Sequence, residues 1–578
     1  MRKFILALIL IFNVAFINAN ISDTTQITIK VIETTDVHGN FFPYDFINQK
    51  SWEGSLAQVY TYIERQRKEI GNENVLLIDN GDILQGQPTV YYYNFIDTAS
   101  THIAAEVMNF MKYDVATIGN HDIETGHPVY DRWVAECNFP ILGANIIDTK
   151  SNTPYFKPYT ILNRKGIKIA ILGLITPAVP AWLPENLWCG MRFEDMVTSA
   201  QKWVPYIQQH ENPDLLIGLF HSGNNSKYSA NGFDENASAT VGREVPGFDI
   251  IFMGHDHRRF CDIVKNANGQ DVHLVNPANN AHSVGEVDIT FTLLDGKVVD
   301  KKLQSKITSV SKELPTTEFN NHFAQHKNTV MNFVSRKIGD CDKTITTRDA
   351  YFGPSAFIDF IHTLQLDLSK ADISFAAPLS FNATIKKGDI LMSDMFNLYK
   401  YENMLYTMQL SGKEIKDYLE MSYDLWINTI ASPNEHLLKV EESENGKFKF
   451  KNPTYNFDSA AGLLYTVDVT KEKGNRITIS ALANGEPFDT YKTYLVAINS
   501  YRGNGGGNLL TEGAGIPTKE LSKRIIWSTD IDLRYHLMKQ IERAGSISPT
   551  PLNQWRFIPE EIAVPAASRD RHLLFPDE

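Results

Sequence analysis

Cysteine is scarce in this chain: four residues (Cys137, Cys189, Cys261 and Cys341) among 578, far apart and in no C-x-x-C spacing. That excludes a disulfide framework or a thiolate zinc site as the main source of stability. One or two bridges, or free thiols buried as small hydrophobes, both stay open. Positive charge is in deficit too, with 55 Lys and Arg against 68 Asp and Glu and a formal net charge of −13. A long phosphate backbone is gripped by the opposite sign, so an extended nucleic acid is excluded as partner while a small nucleotide is not. Long apolar runs are also missing. The one candidate, Phe4 to Ile17, is interrupted by Asn13 and lies between Met1-Arg2-Lys3 and Asn18-Ala19-Asn20. It falls short of the ~20 residues that a bilayer span needs. A charged start, a short apolar stretch and a small residue at the cut read as a cleaved signal peptide over residues 1–19, and so as a periplasmic or secreted protein with no stable membrane insertion.

What is present is globular: 43% apolar residues, 24 Tyr and 32 Phe, and a length that suits two to four domains. From Gln26 to Leu293 short apolar runs alternate with amphipathic stretches. The runs at Gln26–Glu33, Asn74–Ile78, Tyr113–Ile118, Ile167–Ile175, Leu215–Phe220 and Phe248–Met253 predict buried strands. Leu56, Val59, Tyr60 and Ile63, and then Ile103, Val107, Phe110 and Met111, fall at helix spacing. Alternation of this kind predicts an α/β layered domain over residues 20–304. Phe319, Phe323, Val330 and Phe333 share one helical face, so residues 305–343 read as a connecting helix. A second folded unit follows over 344–545. The tail over 546–578, with Pro549, Pro551, Pro559, Pro565 and Pro576, reads as extended.

Five polar clusters follow predicted strands, where the open edge of an α/β sheet places its ligand site. They are Asp36-Val37-His38, Gly81-Asp82, Gly119-Asn120-His121-Asp122, His221-Ser222-Gly223 and Gly254-His255-Asp256-His257. A lone histidine after a strand is more often a satisfied loop residue than a ligand. Carboxylates, imidazoles and an amide converging from several strand ends are the donor set for Mn, Zn, Fe or Mg, and two such ions together can clamp a phosphoryl group and activate water.

The order DxH, GD, GNHD, HSG and GHDH resembles the metallophosphoesterase superfamily. The fuller text TTDVHGNF, DNGDILQG, TIGNHDIETG and FMGHDH is similar to the secreted 5′-nucleotidase and 2′,3′-cyclic-nucleotide phosphodiesterase family. The resemblance spans nearly the whole mature chain. It implies an N-terminal calcineurin-like β-sandwich flanked by helices, joined to a C-terminal α+β substrate domain. It also implies that Asp36, His38 and His257 hold one divalent ion, that Asn120, His221 and His255 hold a second, and that Asp82 bridges them. His257 stands where 5′-nucleotidase relatives often carry Gln. The resemblance makes His121 a donor to the phosphate, oriented by Glu124 where the family has Asp.

Two C-terminal stretches look like the family's nucleoside site: Asn397 to Asn403, with Tyr401 and Asn403, and Ser500 to Gly507, with Tyr501 and Gly505. Two aromatic walls would sandwich a base. The arginines and the GGDGY text usual in 5′-nucleotidases are absent, and Ala376-Ala377-Pro378 stands in their region. The chain therefore looks more like the cyclic phosphodiesterase branch, with 2′,3′-cyclic nucleotides and 3′-nucleotides ahead of 5′-nucleotides or nucleotide sugars. A non-catalytic nucleotide-binding protein is the alternative of another class, and an intact His121 argues against it.

Overall fold

The computed structural model describes residues 24–577 apart from 226–228, 231 and 444–445. The expected signal peptide lies outside the described residues. The N-terminal strands are β1 (Thr24–Thr34), β2 (Val75–Asp79), β3 (Val115–Thr117), β4 (Ile141–Leu142), β5 (Tyr159–Arg164), β6 (Ile167–Ile175), β7 (Leu215–His221), β8 (Ile250–Met253), β9 (Arg259–Lys265), β10 (Asp271–Pro277), β11 (Ser283–Leu294) and β12 (Lys297–Ser309). They form two six-stranded sheets, β12-β11-β1-β2-β3-β4 and β9-β10-β8-β7-β6-β5. Ile29, Val31, Leu76, Ile78, Ile171, Ile217 and Phe252 fill the space between them. Each sheet buries its other face under helices, one of them under α1 (Leu56–Ile70) and α2 (Ile103–Met111). The result is a helix-sheet-sheet-helix sandwich.

Strands β1, β2 and β3 run parallel, as do β6, β7 and β8, so both sheets present their carboxyl ends at edges that carry the polar clusters. Asn80 Nδ2 donates across to the Phe220 carbonyl at 3.0 Å, and Thr117 Oγ1 to the Leu219 carbonyl at 3.2 Å. These bonds pin the two edges together directly beneath the clusters.

The stretch expected as one connecting helix is different. β12 runs to Ser309, and two helices follow, α3 (Thr317–His322) and α4 (Ala324–Val334), broken at Phe323. The alternation in KVVDKKLQSKITS is that of a sheet ribbon with one wet face, paired to β11 along its length. Phe319, Phe323 and Val330 are fully buried in the N-terminal core, so α3 and α4 pack chiefly on that unit, while Phe333 at the end of α4 also packs against the cluster that includes the helix Met392–Leu398 of the second unit.

In the second unit α5 (Ala356–Ser369) precedes a five-stranded sheet of β13 (Ile373–Ala376), β14 (Leu405–Ser411), β15 (Ser459–Ala461), β16 (Thr493–Asn499) and β17 (Ile525–Ser528), ordered β15-β13-β16-β14-β17. The tail is not extended. Trp555–Ile558 pairs in parallel with Leu463–Asp468, and helix α6 (Glu560–Leu574) follows. Pro559 precedes the first turn, where a missing N–H costs nothing. Pro565 sits on the exposed face, and Ala563, Ala566 and Leu574 offset its cost by burial in the C-terminal core. All four cysteines are free. No helix among the described residues is long and apolar enough to cross a membrane.

Candidate active site

Five of the expected metal-site residues have left-handed backbones: Asp36 (φ 47°), His38 (50°), Asp82 (59°), His255 (71°) and His257 (56°). Non-glycine residues in that region cost about 1–3 kcal/mol each and persist where their surroundings hold them. The holding groups are visible. Asp36 N–H donates to the Gly81 carbonyl at 2.9 Å and His38 N–H to the Asp82 carbonyl at 3.0 Å. The buried Asp122 carboxylate accepts the N–H groups of Gly119, Asp82, Ile83 and Leu84 at 2.8–2.9 Å. Gly81 (φ 85°) lies so close to Gly119 that a Cβ there would stand 2.6 Å from its nitrogen.

The side chains gather in two clusters, Asp36/His38/His257 and Asp82/His221/His255, with donor atoms inside each cluster within 4.8 Å of one another. Hydrogen bonds on the far side of three rings select their tautomers. His38 Nδ1 lies 3.1 Å from the Gln85 carbonyl and His221 Nδ1 2.6 Å from the Asn80 carbonyl, so each Nε2 is the free lone pair. His255 is reversed: Nε2 lies 2.9 Å from a Glu235 carboxylate oxygen, which leaves Nδ1 free. The free pairs of His221 and His255 face Asn120 Oδ1 at 3.1 and 2.8 Å. The Asp82 Oδ2 atom is buried without a hydrogen bond, 3.2 Å from His221 Nε2. Lone pairs turned toward oxygen lone pairs want a cation between them, so the residues present fit divalent ions. The buried carboxylates also draw positive charge, a proton or an ion, to that lone pair of His221. Burial opposes protonation of His221, yet the Asp82 and Asp36 carboxylates outweigh it and push its pKa up to about 10. Burial and the neighbouring His257 hold His38 down at about 3.

His121 stands beside these clusters, 5.5 Å from His38 between ring centroids. Its Nδ1 is 2.5 Å from Glu124 Oε2, and its backbone N–H donates to Asp82 Oδ1 at 2.8 Å. Burial disfavours its charge, but Asp82 and Glu124 prevail and raise the pKa to about 9, so both ring nitrogens carry protons. A cavity of about 360 Å³ opens from Asn120, His121 and His255 onto the second unit, where Tyr401, Asn403, Tyr455, Asn456, Asn499 and Tyr501 line it. A wider polar cavity of about 1030 Å³ lies on the side of His38 and His257, with Arg258 and Lys400 in its wall.

The family model described as "Calcineurin-like phosphoesterase" matches residues 29–259, and "5′-nucleotidase, C-terminal domain" matches residues 336–512. The chain belongs to the metallophosphoesterases that carry a 5′-nucleotidase C-terminal domain. It is 28% identical over 617 residues to the "Trifunctional nucleotide phosphoesterase protein YfkN" of Bacillus subtilis, covering 96% of this chain and 40% of that protein. The chain therefore spans about two-fifths of the length of that relative. It is 27% identical over 636 residues to a "2′,3′-cyclic-nucleotide 2′-phosphodiesterase/3′-nucleotidase" of Salmonella typhimurium, covering 97% and 92%. A Staphylococcus aureus protein crystallised as a candidate 5′-nucleotidase shares the fold, with a TM-score of 0.75 at 20% identity, over 92% of this chain and 100% of that one.

Within this metallophosphoesterase the expected substrate residues are partly gathered. Tyr401, Asn403 and Tyr501 line the smaller cavity, whereas Gly505 does not and Gly507 does. Gly505 (φ 108°) faces Leu521 and Thr511 instead. Neither Gly506 nor Gly507 has room for a side chain, since a Cβ would stand 2.5 Å from the Tyr501 ring at the first and 2.3 Å from Asn456 Oδ1 at the second. Sequence reasoning missed Trp182, Glu235, Tyr455, Asn456 and Asn499. Tyr455 meets Tyr501 edge-on at 6.2 Å, and the fully buried Arg502 holds the Tyr455 and Gly506 carbonyls, anchored on Asp458 at 2.8 Å. An arginine beside the cavity thus supports its wall and does not face the ligand.

Proposed function

We propose that the protein hydrolyses extracytoplasmic nucleotide phosphoesters, with 2′,3′-cyclic nucleotides and 3′-nucleotides preferred over 5′-nucleotides. The observation that carries the reading is one cavity walled by His121 and two metal-ligand residues on one side and by Tyr401, Tyr455 and Tyr501 on the other. Asp36, His38 and His257 would hold one divalent ion, Asn120, His221 and His255 the other, and Asp82 would touch both; Mn, Zn, Fe or Mg suit these donors. When bound, such ions neutralise phosphoryl charge and lower the pKa of water. His121 donates Nε2–H to a phosphoryl oxygen, and Glu124 fixes the ring through Nδ1 so that the donor is aimed before charge develops. The tyrosines hold the base by its faces, a mode that tolerates different bases. The N-terminal unit over 20–304 supplies the chemistry and the unit over 344–545 the nucleoside site. Similarity to the Salmonella typhimurium phosphodiesterase over 97% of the chain supports the cyclic preference, and the leader-like residues 1–19 support an extracytoplasmic location.

The test is chromatography of products after the mature protein meets 2′,3′-cyclic AMP and 5′-AMP in one vessel with Mn²⁺, with His121→Ala alongside. Loss of the cyclic nucleotide first, abolished in the variant, is expected. Preferential loss of 5′-AMP moves the protein to the nucleotidase branch, and turnover of neither removes the reading.

A further inference from the structure

Where His38 and His221 offer Nε2, His255 offers Nδ1, and the cause is a residue outside both clusters. Glu235 Oε1 lies 2.9 Å from His255 Nε2. A carboxylate can only accept, so Nε2 keeps its hydrogen and Nδ1 is left bare beside Asn120. Glu235 is itself held. Its carbonyl accepts Ser222 Oγ–H at 3.1 Å, Asn236 Oδ1 accepts Gly223 N–H at 2.6 Å, Ala237 N–H donates to Ser222 Oγ at 3.0 Å, and Ser238 Oγ donates to the Ser222 carbonyl at 2.7 Å. Ser222 and Gly223 directly follow His221, so the segment 235–238 braces the loop that carries one ligand while its first side chain orients another. Gly223 makes the brace possible, because a Cβ there would stand 2.6 Å from Asn236 Oδ1 and 2.4 Å from Asp256 Oδ2. On the ring's face Trp182 stacks at 5.4 Å and 25°.

We propose that Glu235 is a positioning residue for the Asn120/His221/His255 metal site, fixing the tautomer and the ring plane of His255. The inference rests on the metal-dependent reading above. Partners of this kind raise ligand basicity and typically carry 10- to 100-fold in metal affinity. Glu235→Ala therefore weakens one of two metal sites and spares the other. Glu235→Gln, which keeps an oxygen to accept Nε2–H but loses the charge, falls between Ala and wild type.

The experiment is calorimetric titration of the metal-stripped full chain with Mn²⁺, with the thermal midpoint of each metal-stripped variant as control. The expected result is two binding events in the wild type. In Glu235→Ala one of them is weakened about 10- to 100-fold at an unchanged midpoint, and Glu235→Gln lies between. Glu235→Ala binding both ions as the wild type does, or losing both together with its thermal midpoint, overturns the role of Glu235. A wild type that binds no Mn²⁺ removes the metal site itself, and with it the reading on which the role rests.

Discussion

Gln85 Nε2 donates to Glu402 Oε2 at 3.1 Å, joining the loop after Asp82 to the segment that bears Tyr401 and Asn403. The same Gln85 accepts His38 Nδ1–H on its carbonyl, while Glu402 pairs with the fully buried Arg534 at 2.7 Å. Arg534 also donates to the Tyr399 and Lys400 carbonyls and lies 4.3 Å over the Phe396 ring and 5.0 Å over Tyr91 of the N-terminal unit. Removing one partner strands the other charge in a dry site. Arg534→Met should therefore destabilise by about 3–5 kcal/mol. Adding Glu402→Gln should restore more than half of that loss. Gln85→Ala removes one hydrogen bond between the units and leaves the charge pair intact, so it should cost about 1 kcal/mol or less. Guanidinium unfolding followed by tryptophan fluorescence measures all three, and an Arg534→Met midpoint equal to wild type would refute the pairing as a stabilising contact.

Asp122 has both oxygens occupied by backbone N–H groups, Oδ1 by Ile83 and Leu84 and Oδ2 by Gly119 and Asp82. Asp122→Asn is nearly isosteric but turns one acceptor into an NH₂ facing two N–H donors. Each donor left buried without a partner costs about 1–3 kcal/mol. The variant should melt lower when metal-stripped. Because Asp82 and Asn120 lie on the loops thereby released, it should also retain less than the wild-type Mn²⁺ after dialysis. Metal analysis and a thermal melt check this, and wild-type values for both would refute it.

The contrast between Asp122 and Glu235 shows what a sequence can display. Asp36, His38, Asp82, Asn120, His221, His255 and His257 each stand within a few residues of a strand's carboxyl end, so finding the strands finds the cluster. Asp122 stands in the GNHD text and its Gly119 partner lies in the same turn, but the N–H groups of Asp82, Ile83 and Leu84 reach it only once two loops meet. Glu235, Tyr455 and Asn456 lie in connections with no periodicity, and only the fold carries them to the cavity. The two misread elements fail for local reasons. The polar alternation of Lys297–Ser309 is a ribbon's, and the prolines of the tail sit ahead of, just after, or on the wet side of a helix whose apolar face is made largely of alanines.

Gly506 packs on one face of the Tyr501 ring, Tyr455 meets it edge-on at 6.2 Å, and Tyr501 lines the smaller cavity, where a base would stack on it. Stacking on one aromatic face is worth about 1–3 kcal/mol. Tyr501→Leu should raise KM by about 5- to 150-fold with kcat changed far less. Tyr501→Phe, which keeps the face, should stay within about threefold of wild type. Steady-state kinetics on the preferred nucleotide decides this. A fall in kcat at constant KM would place Tyr501 in the chemistry instead of in base binding.

Asp359 tests the packing of the tail through pH. Its carboxylate accepts Leu552 N–H at 2.7 Å from within the C-terminal core, and burial raises its pKa to about 6 against that hydrogen bond. A carboxyl with a raised folded pKa binds its proton more tightly in the native state than in the unfolded chain. Its contribution to stability is therefore complete below the unfolded pKa near 3.8 and is lost as pH rises through about 6. Asp359→Asn keeps an oxygen for Leu552 but cannot titrate. Relative to the wild type the variant should gain stability progressively as pH rises from about 4 to 7, where the wild type must bury a charge. Thermal midpoints of both proteins across that range provide the measurement. Parallel curves would mean that Asp359 ionises as freely in the fold as in the unfolded chain, and that the contact with Leu552 does not hold the tail in a dry site.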